Sequence, residues 1–245
     1  MTKPGVLENV RIVLSHTSHP GNIGAAARAM KTMGLSSLYL VRPKHFPDAQ
    51  ADAMASGAQD VLARARVCGS LPEALQGVVL AAAVSARRRE LAQPAVDARE
   101  GAAQLLAQSG AHPVAVVFGT EMSGLSNADV GLCQLLVHIP ANPAYSSLNL
   151  AAAVQILAYE LRLAGGLDGV LADPSAAAPL APFEDVERFY AYLEEVLVGV
   201  EFLNPLAPKR LMERLRRLFA RARLEREEVN ILRGILTAVQ KSREK

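Results

Sequence analysis

The chain has 245 residues, of which 51% are hydrophobic and 20% charged, and its net charge is +2. This composition excludes a disordered chain, and the longest unbroken apolar run, Val78–Val84, is too short to span a bilayer. The first residues show no apolar stretch of the signal-peptide kind, so a cytoplasmic protein is expected. Cys68 and Cys133 are the only cysteines, and they offer neither a disulfide framework nor metal-ligand spacing. In chain order, Val10–Leu14 reads as a buried strand, Asn22–Met33 as a helix and Leu38–Val41 as a strand. A weaker helix is expected at Met54–Leu62, a strand at Val78–Ala83 and a helix at Asp97–Gln108. Val114–Phe118 and Leu135–Ile139 read as strands, and Leu148–Leu163 as a long helix with few polar interruptions, so mostly buried. Strands alternating with helices at this spacing predict an α/β domain with a largely parallel sheet. Gly165–Pro182, rich in Gly, Ala and Pro, reads as a linker. Amphipathic helices are expected at Phe183–Val200, Lys209–Arg221 and Arg226–Gln240, the last with Val229, Leu232, Ile235, Leu236 and Val239 on one stripe.

Four segments combine polar and glycine residues where a parallel sheet presents its loops. Ser15–Arg28 runs from a strand through a polar loop into a helix. It carries neither a dinucleotide fingerprint nor a phosphate-loop motif. Asn22 there is either a helix cap or a site residue, and Arg28 either a surface ion-pair partner or a functional cation. His16 and His19 lack a third ligand, so no metal is expected. In Val116–Ser126, Gly119 and Gly124 permit close backbone approach. Glu121 can accept hydrogen bonds from a ligand or from loop amides. Ile139–Leu150 places Asn149 at the head of an apolar helix, where a polar group needs a partner, either a ligand or another loop. Arg87-Arg88-Arg89 directly follow a strand, as a solvated loop or an anion contact. Seven basic residues against one acid, Glu213, lie between Lys209 and Arg223, a pattern suited to a polyanion. The absence of Trp and the 4% aromatic content argue against a base-stacking recognition sheet.

Taken together and in order, these motifs resemble the SpoU branch of the SPOUT RNA methyltransferases. Asn22-Ile-Gly-Ala-Ala-Ala-Arg28 resembles the first motif of that branch, Phe118-Gly-Thr-Glu121-Met-Ser-Gly124 the second, and Ile139-Pro through Tyr145-Ser-Ser-Leu-Asn149 the third. The likeness covers roughly residues 8–164. Thr120 and Val84 depart from the residues frequent at their positions. The helical tail, with Arg214-Leu-Arg-Arg-Leu-Phe219, resembles the extension of the tRNA-methylating members. The resemblance implies a SPOUT sheet with helices on both faces and a C-terminal trefoil knot over residues 1–164. A linker (165–182) and an all-helical tRNA-binding extension (183–245) follow. It also implies a homodimer that uses S-adenosylmethionine and no metal or membrane. Cofactor contacts fall by position on Val84, Ser85, Ala86, Gly119, Ile139, Ser146, Ser147 and Leu148. Arg28 carries the catalytic role, with Asn22, Glu121, Ser147 and Asn149 shaping the site. Arg214, Arg216, Arg217 and Arg221 hold the tRNA backbone.

The implied reaction is 2′-O-methylation of a tRNA ribose, at cytidine or uridine in the first position of the anticodon loop. A ribosomal RNA substrate and a non-catalytic RNA-binding dimer are the alternatives. Arginine holds its proton tightly, so Arg28 is expected to orient a phosphate and stabilise a forming alkoxide, with a base role as the other option.

Overall fold

A computed structural model of the chain describes residues 5–86, 95–166 and 179–243. Seven strands form one parallel sheet: β1 (Val10–Ser15), β2 (Ser37–Val41), β3 (Arg66–Cys68), β4 (Leu80–Val84), β5 (Ala95–Asp97), β6 (Val114–Phe118) and β7 (Leu135–His138). Their order across the sheet is β3-β2-β1-β6-β4-β7-β5, and every pairing is parallel. Strand residues alternate between two cores, as the period of two requires. Val10, Ile12 and Leu14 of β1, Val114, Val116 and Phe118 of β6, and Leu80 and Ala82 of β4 face one core. Val13, Ala115, Val117, Ala81 and Ala83 face the other.

Helices cover both faces. The first core is closed by α1 (Pro20–Met33), α2 (Ala49–Ala55), α3 (Gln59–Ala63), α5 (Ala98–Ser109) and α7 (Leu150–Gly166). The second is covered by the short α4 (Leu71–Ala74), by α6 (Asn127–Gly131) and by Phe183. Gly24 explains how closely α1 and α2 approach, because a Cβ there would lie 2.0 Å from the Ala51 carbonyl oxygen.

The C-terminal helices α8 (Phe183–Gly199), α9 (Leu211–Ala222) and α10 (Arg226–Arg243) make a third core of their own, centred on Phe189, Tyr190, Leu193, Val196, Val229 and Leu236. Phe189 meets Phe219 edge-on at 5.0 Å between ring centroids. This bundle is docked on the amino edge of the sheet. The Phe183 amide donates to the Val78 carbonyl at 2.9 Å, and Glu184 Oε2 accepts from the Gly77 amide at 2.9 Å. Arg223, in a left-handed conformation that ends α9, hydrogen-bonds Gln104 of α5.

The structure departs from the expected elements in several places. The helix expected at Met54–Leu62 is two helices, because Ser56 and Gly57 both take positive φ and turn the chain. The edge strands β3 and β5, three residues each, and the one-turn α4 carry too few residues to show a period. The long helix starts at Leu150 and leaves Leu148 in the preceding loop. It is not mostly buried: Val154, Leu157, Ala158 and Leu161 are buried, while Ala152 and Tyr159 are exposed. Ile235 is 54% exposed and lies off the buried stripe of α10. Arg87-Arg88-Arg89 and residues 167–178 of the expected linker lie outside the described residues. Among the described residues no helix is long and apolar enough to cross a membrane.

Candidate active site

Three loops leaving the carboxyl ends of β4, β6 and β7 close around a cavity of about 370 Å³, at the edge where open parallel sheets bind ligands. Val84, Ser85 and Ala86 come from the β4 loop, Gly119 from the β6 loop, and Ile139, Ser146, Ser147 and Leu148 from the β7 loop. All eight positions matched to cofactor contacts therefore line one space. Sequence reasoning missed Phe118, Met122, Leu150 and Ala153, which line it too. Leu150 and Ala153 belong to an ordinary apolar helix face, so nothing in the sequence marks them.

The β6 loop owes its shape to a tight return. The Thr120 amide donates to the Gly124 carbonyl at 3.2 Å and the Gly124 amide to the Thr120 carbonyl at 3.0 Å. The Thr120 and Ser123 hydroxyls lie 2.8 Å apart. A Cβ at Gly119 would sit 2.1 Å from the Gly124 carbonyl carbon, so only glycine permits this closure. The departure at Thr120 thus has a local role, pinning the turn. Half of the described lining is glycine, alanine and serine, and the cavity's volume falls in the range of small-molecule sites. Such a wall fits a ligand held mainly by main-chain groups, as the S-adenosyl group is expected to be.

Glu121 ties the loops together. Ser18 donates from its amide (3.1 Å) and its hydroxyl (2.9 Å) to Oε2, while the His19 amide (3.2 Å) and Asn22 Nδ2 (3.0 Å) donate to Oε1. Burial pushes this carboxyl up, but the hydrogen bonds from Asn22 and Ser18 outweigh it and hold its pKa at about 2. With both oxygens taken by these donors, the carboxylate is a clamp between the β1 and β6 loops. Asn22 passes the link on, since its Oδ1 accepts from Asn149 Nδ2 at 3.0 Å. Asn149 Oδ1 accepts from the Ala151 amide at 2.9 Å and caps α7. The partner that Asn149 requires is therefore another loop, and Asn22 lies inside α1, whose cap residue is His19. Asn22, Glu121 and Asn149 form one continuous chain of polar contacts.

Other candidates are not brought together with these. Arg28 is exposed on α1 and does not line the cavity. Among the described lining residues Glu121 carries the sole charge. Met122, which lines the cavity, is 92% exposed, and Tyr145 in the β7 loop is 79% exposed. His16 Nδ1 lies 2.9 Å from Ser15 Oγ, and no three His, Cys, Asp or Glu side chains converge on a metal position among the described residues.

In the basic segment the four arginines divide. Arg216 is half-buried, gives a bidentate pair to Glu187 at 2.6 and 2.8 Å, and lies 4.3 Å above the Tyr190 ring. This pair joins α8 to α9. Arg214, Arg217 and Arg221 are exposed.

Residues 9–159 match the SpoU rRNA methylase family, and residues 184–245 match the C-terminal domain of the tRNA methyltransferase TrmJ. The chain is 51% identical over 237 residues to the tRNA (cytidine/uridine-2′-O-)-methyltransferase TrmJ of Sodalis glossinidius, covering 96% of this chain and 92% of that one. It is 50% identical over 239 residues to the protein of that name from Pectobacterium atrosepticum, covering 97% and 99%. Among solved structures it is similar to TrmJ from Z. mobilis ZM4, with a TM-score of 0.82, 33% identity, and coverage of 94% and 98%.

Proposed function

Since the chain belongs to the SpoU methylase family and carries the TrmJ-type C-terminal domain, we propose that it methylates the 2′-hydroxyl of cytidine or uridine in tRNA, using S-adenosylmethionine. The observation that carries the reading is the closure of the β4, β6 and β7 loops around one cavity, with Glu121, Asn22 and Asn149 locking the surrounding loops. Near-full-length similarity to tRNA-specific relatives, including the extension, favours tRNA over ribosomal RNA. The target nucleotide is the first of the anticodon loop, and the enzyme works in the cytoplasm. Residues 1–164 form the catalytic unit and 183–245 the RNA-holding unit. The strand order supports a trefoil knot in the catalytic unit, since β6 enters between β1 and β4, and β7 between β4 and β5.

When bound, the cofactor supplies an electrophilic methyl group on a sulfonium. The protein must bring a ribose oxygen in line with it and stabilise the charge that grows on that oxygen. The loops of the cavity hold and orient the cofactor, largely through main-chain groups. The described lining provides no cation, so the stabilising charge has to come from outside it. Arg28 meets that need in a homodimer, where a second copy brings its α1 to the cavity mouth. Leu148, Ala152 and Tyr159 are exposed at helical spacing along α7 and its entry, and with Met122 and Tyr145 they support such a contact. Arg28 then holds a phosphate and steadies the alkoxide, and the proton leaves to solvent or to that phosphate. Nucleoside mass spectrometry of tRNA and rRNA from a deletion strain tests the reading. Loss of 2′-O-methylpyrimidine from tRNA alone is expected; loss from rRNA alone, or no loss, overturns it.

A further inference from the structure

The turn between α8 and α9 forms an open recess of about 550 Å³ that the methyl-transfer site does not use. Its lining combines the apolar Phe202, Leu203 and Pro208 with the cations Lys209, Arg210 and Arg214. Phe202 is 69% exposed, and it is presented by an ordered turn. The Phe202 and Leu203 amides both donate to the Leu197 carbonyl at 3.0 Å, and Asn204 Oδ1 accepts from the Leu206 amide at 2.9 Å. Leu203 anchors this turn, being 3% exposed. The three cations have no carboxylate within ion-pair distance among the described residues, whereas neighbouring Arg216 is fully paired with Glu187. No acidic residue lines the recess.

An exposed ring next to unneutralised cations matches the two faces of a nucleotide. The base offers a π-face and the phosphate a negative charge. A duplex hides its base faces, so an aromatic in this position serves an unpaired nucleotide. We propose that this recess binds one unpaired nucleotide of the substrate RNA, its base stacked on Phe202 and its phosphates held by Lys209, Arg210 and Arg214. This rests on the RNA-substrate reading and adds the place and the form in which the extension grips the RNA.

The test is a fluorescence-anisotropy titration of the full-length protein with an unmodified tRNA transcript across a salt series. Phe202→Ala is expected to weaken binding about tenfold with an unchanged salt slope, because stacking is not a counterion effect. Phe202→Tyr keeps the affinity. Arg214→Ala weakens binding and lowers the slope by about one. Binding of S-adenosylhomocysteine, which should not change, serves as the folding control. Unchanged tRNA affinity in Phe202→Ala overturns the proposal and leaves the recess to an acidic protein segment. If the unaltered protein fails to bind tRNA at all, it is the RNA-substrate reading that falls.

Discussion

The carboxyl edge of the sheet and the helical bundle at its amino edge are made of different materials. Around the cavity half of the described lining is glycine, alanine and serine, the rest is mostly apolar side chains such as Phe118, Ile139 and Leu150, and Glu121 is bound into the loops. The bundle is held by large side chains, Phe189, Tyr190 and Phe219, and carries exposed arginines. In the β6 loop a small residue fixes the shape, because a Cβ at Gly119 would meet the Gly124 backbone. Long cations fix a charge and tolerate variation in shape. The first region suits a small ligand held in one pose, and the second a flexible polyanion.

If that division holds, changes at the two edges should separate chemistry from RNA affinity. The largest effect is expected from Arg28→Ala, with methyl transfer falling by roughly 10²–10³-fold or more. Binding of tRNA and S-adenosylhomocysteine should persist. A tritiated-methyl assay showing ordinary turnover would remove Arg28 from the reaction. Next comes Gly119→Ala, where the new Cβ collides with backbone. Isothermal titration should show S-adenosylhomocysteine binding abolished while tRNA binding survives. Joint loss of both would mean that the two edges are not independent.

Glu121→Gln should cost about 1–2 kcal/mol of stability at neutral pH, allowing for the partial exposure of the clamp. The sign follows from its lowered pKa. The carboxylate stabilises the fold fully above 4.5, the ordinary value, and loses that contribution as the pH falls toward about 2. Thermal melts of the two proteins should therefore converge in that acid window, and a constant gap would contradict the clamp. The smallest effects should come from neighbours on α9. Arg217→Glu should weaken tRNA binding severalfold without moving the melting temperature. Arg216→Ala should lower stability by about 1 kcal/mol through the lost Glu187 pair. A reversed pattern would exchange the roles of the two arginines.

Much of the frame was legible in the sequence because long-range order there reduces to local pattern. The β-branched run Val114–Phe118 could be little but a buried strand, and it is one. The edge strands were not legible: Arg66–Cys68 has two exposed residues of three, so neither period nor hydrophobicity marks it. The Ser56-Gly57 pair was a turn signal inside a helical pattern and it prevailed. At the site the motifs revealed which residues gather, but not what they do there. Glu121 and Ser18 are 103 residues apart, and only the folded chain shows that the carboxylate is occupied by loop donors. Arg216 and Arg217 look alike in sequence; the helix turns one toward Glu187 and the other to solvent.

The docking of Phe183 beside Val78 sets a distance as well as a contact. Between that point and the cavity runs the whole of β4, five residues, or about 17 Å at the rise of a strand. The sheet thus serves as a ruler. A polymer held at that docking edge and modified in the cavity of the same chain has to span that length. A mononucleoside can satisfy one end of the molecule only, whereas a folded hairpin can reach both.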